Sequence, residues 1–304
     1  MVSPAKSPEP PTRRRKKVGI SAAQRLRLRF MESVVVWEGA VYRKRLVTAF
    51  GVTENHISRD FKQYLHEYPN SLAYDLSRKR YLPGHAFKPR YASGSTGEYL
   101  GLLRTHCEAT DVTDTQLPGL PGPTAAETVP LQGGGVDAET LQAITRAITD
   151  GTGLEASYQS MSRPAPMTAQ LWPHALVFSG SRWHARAFHQ AENRFADFVL
   201  PRLTVKHVIP ETPAAAGSEN DAAWNALVAI AIQPAAHLSP AQQDAIAKEY
   251  GMGGKPGRWV WSCRLRECVA PYFLHLHRLD IKERKPRIEL VDPTLRERYR
   301  FPDA

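Results

Sequence analysis

The sequence predicts a multidomain α+β protein in three parts. These are a basic, helical N-terminal domain, a central antiparallel sheet or barrel, and a small α+β C-terminal domain. Three observations predict this. A length of 304 residues is enough for two or three domains. Charge is segregated, with 19 Lys/Arg against 7 Asp/Glu in residues 1–90, a net of +12, and a net of −2 over residues 91–304. The apolar period also changes, from 3.6 near the N-terminus to 2 between Leu154 and Arg202, with both alternating beyond Pro210.

Composition narrows the class further. A hydrophobic content of 42% supports real cores. The longest apolar run, Ala226–Ile232, is too short to cross a bilayer, and the N-terminus lacks an apolar signal region. Cys107, Cys263 and Cys268 form no Cys-x-x-Cys pair, which fits a reducing cytoplasm. The basic excess of the first third calls for a polyanionic partner, nucleic acid first.

In chain order, residues 1–19 read as a disordered basic arm. Its run Arg13–Lys17 either tracks a phosphate backbone or adds solubility, and its place directly before a basic domain favours the first. Residues 20–92 form the expected DNA-binding domain. Ser21 caps a helix to about Val36, with Leu26, Phe30, Val34 and Trp37 on one face. A second helix spans Tyr42–Phe50 and closes at Gly51; Thr53 caps a third, to about Tyr64. Helix, short glycine turn and helix is the arrangement that places its second member in the DNA major groove. Ile57, Phe61 and Leu65 make the buried stripe of that helix, while Asn55, Arg59, Lys62 and Gln63 lie opposite. Asn pairs bidentately with adenine and Arg with guanine, so this outer face has the chemistry to read bases. Leu72–Leu82 then reads as two strands around Ser77-Arg78-Lys79, a wing with a cationic tip. The expected DNA-binding set is Arg43, Arg45, Thr53, Asn55, His56, Ser58, Arg59, Lys62, Arg78 and Lys79.

Residues 93–136 read as a bridging helix, Gly97–Glu108, and a Pro/Gly/Thr-rich linker. Residues 137–211 form the central domain. Its opening helix, Asp137–Thr149, is periodic in Leu141, Ile144 and Ile148. In Arg182–Phe188, Trp183, Ala185 and Ala187 face one way and Arg182, His184, Arg186 and Phe188 the other. The run Leu171–Phe178 places His174 beside Trp172, Leu176 and Phe178, and Ser179-Gly180 makes the turn between the two strands. An earlier strand carries Tyr158 and Ser160. Cationic donors beside hydroxyls suit an anionic or polar ligand, although a strand with one solvated face reads equally well. Past a polar boundary at Glu211–Asp221, residues 220–304 alternate strand and helix. The strand Leu227–Ile232, a helix from Ser239-Pro240 to Gly251, the strand Arg258–Leu265 and a helix Glu267–Leu279 with a break or entry at Pro271 make up that last domain.

These blocks carry a resemblance. Tyr158-Gln159-Ser160-Met161-Ser162, Pro173-His174-Ala175-Leu176-Val177, Arg182–Phe188 and Asp197–Leu203 together resemble a WYL domain, with Trp183-His184-Ala185 at the Trp-Tyr-Leu triplet. The branch is that of bacterial phage-defence regulators associated with BREX and CBASS operons. Trp37-Glu38-Gly39, Phe50-Gly51-Val52, Ile57-Ser58-Arg59-Asp60 and Tyr74–Tyr81 resemble the winged helix-turn-helix of the same regulators. Ala196 departs from that branch, which carries Arg before Asp197-Phe198, and Gln170 lies near a common Arg. The resemblance implies an Sm-like β-barrel sensing a ligand for the attached DNA-binding domain, and a C-terminal domain for dimerisation. It also implies a nucleotide or nucleic-acid fragment bound by Tyr158, Ser160, His174, Arg182, Arg186 and Arg202.

Other chemistries fit less well. Tyr250–Pro256 has the wrong glycine spacing for a phosphate loop, and Pro256 replaces its Ser or Thr. Cys263, Cys268, His275 and His277 match no zinc spacing, and one helix cannot aim residues two apart at one ion. No hydrolase, zincin or kinase motif occurs. Asp197 is read as the structural partner of an Arg. The sequence therefore predicts a cytoplasmic, ligand-responsive, homodimeric repressor on an inverted-repeat operator, with no enzymatic activity, cofactor, metal or membrane. A nucleic-acid-processing enzyme using the central Arg/His cluster is the alternative.

Overall fold

The computed structural model describes residues 20–110, of which 106–110 by backbone alone, and residues 135–301. The arm 1–19 and most of the expected linker lie outside the described residues. The chain divides into two compact units, Met1–Pro130 and Leu131–Ala304.

The first unit contains α1 (Ala22–Glu38), α2 (Arg43–Phe50), α3 (Glu54–Glu67), β1 (Leu72–Asp75), β2 (Arg80–Pro83) and α4 (Thr96–Thr110). Side-chain oxygens of Ser21 and Thr53 accept from the Gln24 and His56 amides, which fixes the starts of α1 and α3. Gly39 and Gly51, at φ +72° and +60°, end α1 and α2 in the left-handed region where a Cβ would be strained. Met31, Val34, Leu46, Ile57, Phe61 and Tyr64 bury fully between the helices. Of the expected α1 stripe, Phe30 and Val34 are buried, but Leu26 is 48% and Trp37 38% exposed. The helix is rotated so that Leu28, Met31, Val34 and Val35 face inward. β1 and β2 pair antiparallel, and Val41 bridges to Tyr81 beside them. The helix expected to bridge forward, α4, is instead a wall of this unit: Tyr99 and Leu103 join the same core.

One buried carboxylate ties this unit together. Glu32, fully buried in α1, accepts the Tyr64 hydroxyl at 2.8 Å and the amides of Arg90, Tyr91 and Ala92 at 2.7, 2.6 and 2.9 Å. It thereby fastens the segment 90–92, which follows the wing, to α1 and α3.

The second unit opens with α5 (Ala138–Asp150), followed by β3 (Gly153–Tyr158), β4 (Met167–Phe178), β5 (Trp183–His189), β6 (Arg194–Val199) and β7 (Leu203–Ile209). The sheet order is β6-β5-β4-β3-β7, all antiparallel. The expected barrel does not close. The 3₁₀ turn Leu200–Arg202 separates β6 from β7, and α5 lies against β7, with Thr140 Oγ1 accepting the Val205 amide at 3.4 Å. One face of the sheet, with Leu154, Ala156, Leu171, Ala185 and Ala187, packs under Ile144 and Ala147 of α5.

A bulge in β4 corrects the expected facing. Register shifts between Pro173 and Ala175, so Trp172 pairs with Phe188 but Leu176 with Ala185 and Phe178 with Trp183. The extra residue, His174, flips the rest of the strand, and Leu176 and Phe178 lie on the face opposite Trp172. The turn at Ser179-Gly180 forms as expected, with the Ser179 amide donating to the Arg182 carbonyl and Gly180 at φ +94°.

The rest of the unit comprises α6 (Ala222–Asn225), β8 (Leu227–Pro234), α7 (Pro240–Glu249), β9 (Gly253–Lys255), β10 (Arg258–Arg266), α8 (Ala270–Leu276), β11 (Ile288–Leu290) and α9 (Thr294–Tyr299). Their sheet order is β11-β8-β10-β9, over a core of Ile230, Ile232, Leu274, Leu279 and Ile288. Ser239 and Gln242 form a reciprocal capping box on α7. The expected helix from Glu267 begins as a 3₁₀ turn, Glu267–Val269, and Pro271 stands at the entry of α8, in its first turn.

Replacing Glu32 by Ala would strand the amides of Arg90, Tyr91 and Ala92 and the Tyr64 hydroxyl. The first unit should lose about 3 kcal/mol or more in urea unfolding followed by circular dichroism. A loss below about 1 kcal/mol would show that water can replace the carboxylate.

Candidate functional sites

The exposed face of α3 carries Asn55, Arg59 and Lys62, spaced four and three apart and therefore aligned. None of the three has a side-chain hydrogen bond or ion pair among the described residues. α3 is held from behind. Arg27 of α1 donates Nε to Asp60 Oδ2 at 2.6 Å, and Gln24 donates to Gln63 Oε1 at 2.8 Å. Gln63 is thus drawn toward α1 and away from the outer face expected for it. Thr53 Oγ1 and His56 Nδ1 lie 2.8 Å apart and complete the cap, both still exposed.

The remaining basic residues divide by helical phase. Arg43 reaches Ser58 Oγ and Tyr74 Oη, each at 3.3 Å, and sits 5.5 Å from the Tyr74 ring centre. It positions α3 against the wing. Arg45, two residues on, points the other way. It is buried and grips both oxygens of Glu38 with its Nη atoms, so its place in the expected DNA-binding set is corrected. At the wing, Asp75 Oδ1 accepts from the Ser77 and Arg78 amides at 3.0 and 3.1 Å and from Ser77 Oγ at 2.6 Å. These bonds hold its carboxyl below the usual carboxylate range. Lys79 takes the left-handed φ of +50°, and the tip presents Arg78, Lys79 and an 81% exposed Leu76.

In the second unit, Arg186 is 7% exposed and organises a polar cluster. Nε and Nη2 donate to Asp221 Oδ2 and Oδ1 at 2.7 and 2.8 Å, and Nη1 to Asp197 Oδ1 at 3.2 Å. His174 Nε2 lies 2.9 Å from Asp221 Oδ2, and Tyr272 Oη of α8 donates to Asp197 Oδ2 at 2.9 Å. Asp221 also caps α6, accepting the Trp224 amide at 3.1 Å. Burial opposes both charges. The carboxylates nevertheless hold the guanidinium above its ordinary value, and the guanidinium holds Asp221 below the usual carboxylate range. Burial and the adjacent Asp197 push the Tyr272 hydroxyl well up, so it remains a donor.

The expected ligand set is therefore split. His174 and Arg186 meet at Asp221, as bulge and strand residue on one face. Tyr158 is turned into the opposite core, its ring 5.0 Å from Phe198 and edge-on, so a ligand-donor role on the Arg186 face is corrected. Ser160 and Arg202 adjoin it at the β3–β7 end, where the Gln159 amide donates to the Arg202 carbonyl at 3.1 Å. Arg182 is exposed beyond the β4–β5 turn. The two residues that complete the Arg186 cluster, Asp221 and Tyr272, were not singled out from the sequence. Asp221 ends a stretch read as a domain boundary; its cue was an Asp directly before a helix-forming Ala222-Ala223-Trp224.

No helix of the described residues is long and apolar enough to cross a membrane. Residues 23–105 match the winged helix-turn-helix domain of BrxR transcriptional regulators, 139–207 the WYL domain, and 227–295 the BrxR C-terminal dimerization domain. The chain is similar to the DNA-binding transcriptional repressor CapW of Pseudomonas aeruginosa, 30% identical over 94% of this chain and 93% of that protein. It is 30% identical to CapW of Stenotrophomonas maltophilia, over 85% of this chain and 84% of the relative. It is 31% identical to that of Escherichia coli, over 77% of each.

Asp221→Asn should destabilise the second unit by about 3 kcal/mol at neutral pH, because it strips charge from the partner of a buried guanidinium. With the folded carboxyl depressed, its stabilisation is complete above the unfolded-state value and fades as pH falls through the lower folded one. Urea midpoints taken from pH 7 down to pH 3 should therefore fall less steeply for the variant. Parallel profiles would rule out the ion pair as a source of acid sensitivity.

Proposed function

The chain belongs to the family of CapW- and BrxR-type WYL transcriptional regulators, and from that membership we propose a homodimeric, DNA-binding transcriptional repressor whose central domain senses a ligand. The observation that carries the DNA-reading role is the aligned, unpaired face Asn55, Arg59 and Lys62, beside a wing whose tip is cationic. Asn55 and Arg59 read base edges in the major groove, Lys62 and Thr53 meet phosphates, and Arg78 and Lys79 reach the flanking backbone or minor groove. Leu76, at the same tip, adds an apolar contact of the kind that enters a minor groove. Arg43 acts indirectly by setting the wing against α3.

The operator is an inverted repeat, since a symmetric dimer presents two α3 helices to half-sites one or more helical turns apart. The dimer forms through residues 227–295, the segment that matches a dimerization domain. The repressor works in the cytoplasm, and its resemblance to phage-defence regulators makes an anti-phage operon the target. No catalytic step is proposed for the central Arg/His cluster, because Arg186 and His174 are engaged by carboxylates of the chain itself.

Arg59→Ala should weaken operator binding by about 1–3 kcal/mol while scarcely changing affinity for random DNA, measured by fluorescence anisotropy. Equal losses on both would reduce Arg59 to a phosphate contact. Removing residues 1–19 should lower affinity on every sequence and flatten its salt dependence. Light scattering should give a dimer both free and on DNA, and a monomer in both states would overturn the assembly.

A further inference from the structure

β8 is apolar on both faces over residues 227–232. Ile230 and Ile232 are buried in the C-terminal core, as half of an alternating strand should be. The other half, Leu227, Ala229 and Ala231, is apolar as well, which makes Ala226–Ile232 the longest apolar run of the chain. A continuous run of this kind marks a strand buried on both faces, whereas a sheet with one wet face alternates apolar with polar residues. Yet Leu227 is 54% exposed and Ala229 is exposed beside it.

Register carries that face onto the neighbouring strands. Ser262 of β10 lies opposite Ala231 and Arg264 opposite Ala229, with Val260 further along on the same side. Beyond β11, the Val291 amide donates to the Ala231 carbonyl, so Val291 continues the ladder and shares the face with Glu289. Val260 is 39% and Val291 46% exposed. Arg264 stands past the end of β9, at the rim. The helix α8 lies on the other side of the sheet, where Phe273 stacks on Trp261.

Two observations name the occupant as a second copy of this chain. The segment that matches a dimerization domain, 227–295, contains the whole face. Its charges are also self-complementary. In the order β11-β8-β10-β9, Glu289 stands on β11 at one edge, and Lys255 of β9 with Arg258, its partner in register, at the other. Three strand spacings, about 14 Å, keep the two signs apart within one chain. Half a turn about an axis along the strands lays β11 over β9 and β8 over β10, which sets each Glu289 on the partner's basic edge. A two-fold contact requires such a surface, acidic at one edge, basic at the other and apolar astride the axis. We propose that this sheet face is the dimer interface, two sheets stacked about 10 Å apart with the apolar side chains of β8 and β10 between them. The proposal rests on the homodimer reading above and adds to it the surface and the mode of packing.

The test is sedimentation equilibrium on the full-length protein, with circular dichroism to check the fold of each variant. Ala231→Glu should weaken the dimer about 100-fold or more, because two-fold symmetry buries two carboxylates in an apolar contact. Leu276→Glu, on exposed α8 across the sheet, should leave the dimer unchanged. Glu289→Lys should weaken it about tenfold by setting like charges together, and adding Lys255→Glu and Arg258→Glu should restore it. Only a contact between chains gives that rescue, so the charge exchange decides the matter even where Ala231→Glu does not fold. A wild-type monomer would refute the homodimer reading and the interface together. A wild-type dimer that survives a folded Ala231→Glu, ignores Glu289→Lys, is not rescued by the charge exchange, or dissociates on Leu276→Glu would refute this interface and leave the homodimer standing.

Discussion

A guanidinium withdrawn from water is tolerated only when its donors meet acceptors, and Arg186 imposes that condition on the whole second unit. Two of its nitrogens go to Asp221 and one to Asp197. Each carboxylate then recruits its own donors. Asp221 takes His174 from the bulge of β4 and the Trp224 amide of α6; Asp197 takes the hydroxyl of Tyr272 on α8. One buried cation thus decides where pieces of β4, β6, the α6 cap and α8 come to rest. Apolar contacts alone would tolerate sliding between these parts, whereas paired charges accept few geometries.

The first unit obeys the same logic with the sign reversed. Glu32 is a buried anion whose acceptors are filled by three consecutive amides and a tyrosine hydroxyl. Around it the basic residues sort by what the fold needs. Arg27 is used up on Asp60, Arg45 on Glu38, and Arg43 on Ser58 and the Tyr74 hydroxyl. Arg59, Lys62, Arg78 and Lys79 stay outside, among the charge available to a polyanion. A strongly basic composition therefore overstates the binding surface, since Arg27, Arg43 and Arg45 serve the fold.

The helices and the wing were legible because their signals are local. Ser21 and Thr53 are caps, Gly39 and Gly51 are left-handed stops, and the wing turn is bracketed by Asp75 and Arg80. What was illegible depends on distant partners or on a break in period. Alternation along β4 is correct on either side of His174 but changes phase there, and nothing within Pro173-His174-Ala175 announces the bulge. Arg45 was misplaced for a readable reason: residues two apart on a helix do not share a face, so Arg43 and Arg45 cannot both point outward. The closed barrel failed because strand count and order do not decide whether the last edge pairs. Of the expected ligand residues, Arg186 and His174 meet at Asp221, while Tyr158 follows the inward parity of Leu154 and Ala156.

β5 connects these results. His184 and Arg186, two residues apart, share a face, the first lining a cavity beside Tyr272 and the second in the ion cluster, with Asp197 touching both sites. The Tyr272–Asp197 hydrogen bond joins α8 to the sheet. Regulatory couplings between sites are typically about 1–3 kcal/mol, a change of roughly 5- to 150-fold in affinity. A hydrogen bond to a charged group is worth about 1.5–3 kcal/mol. That single bond between the sheet and α8 is thus of the same size as a typical regulatory coupling.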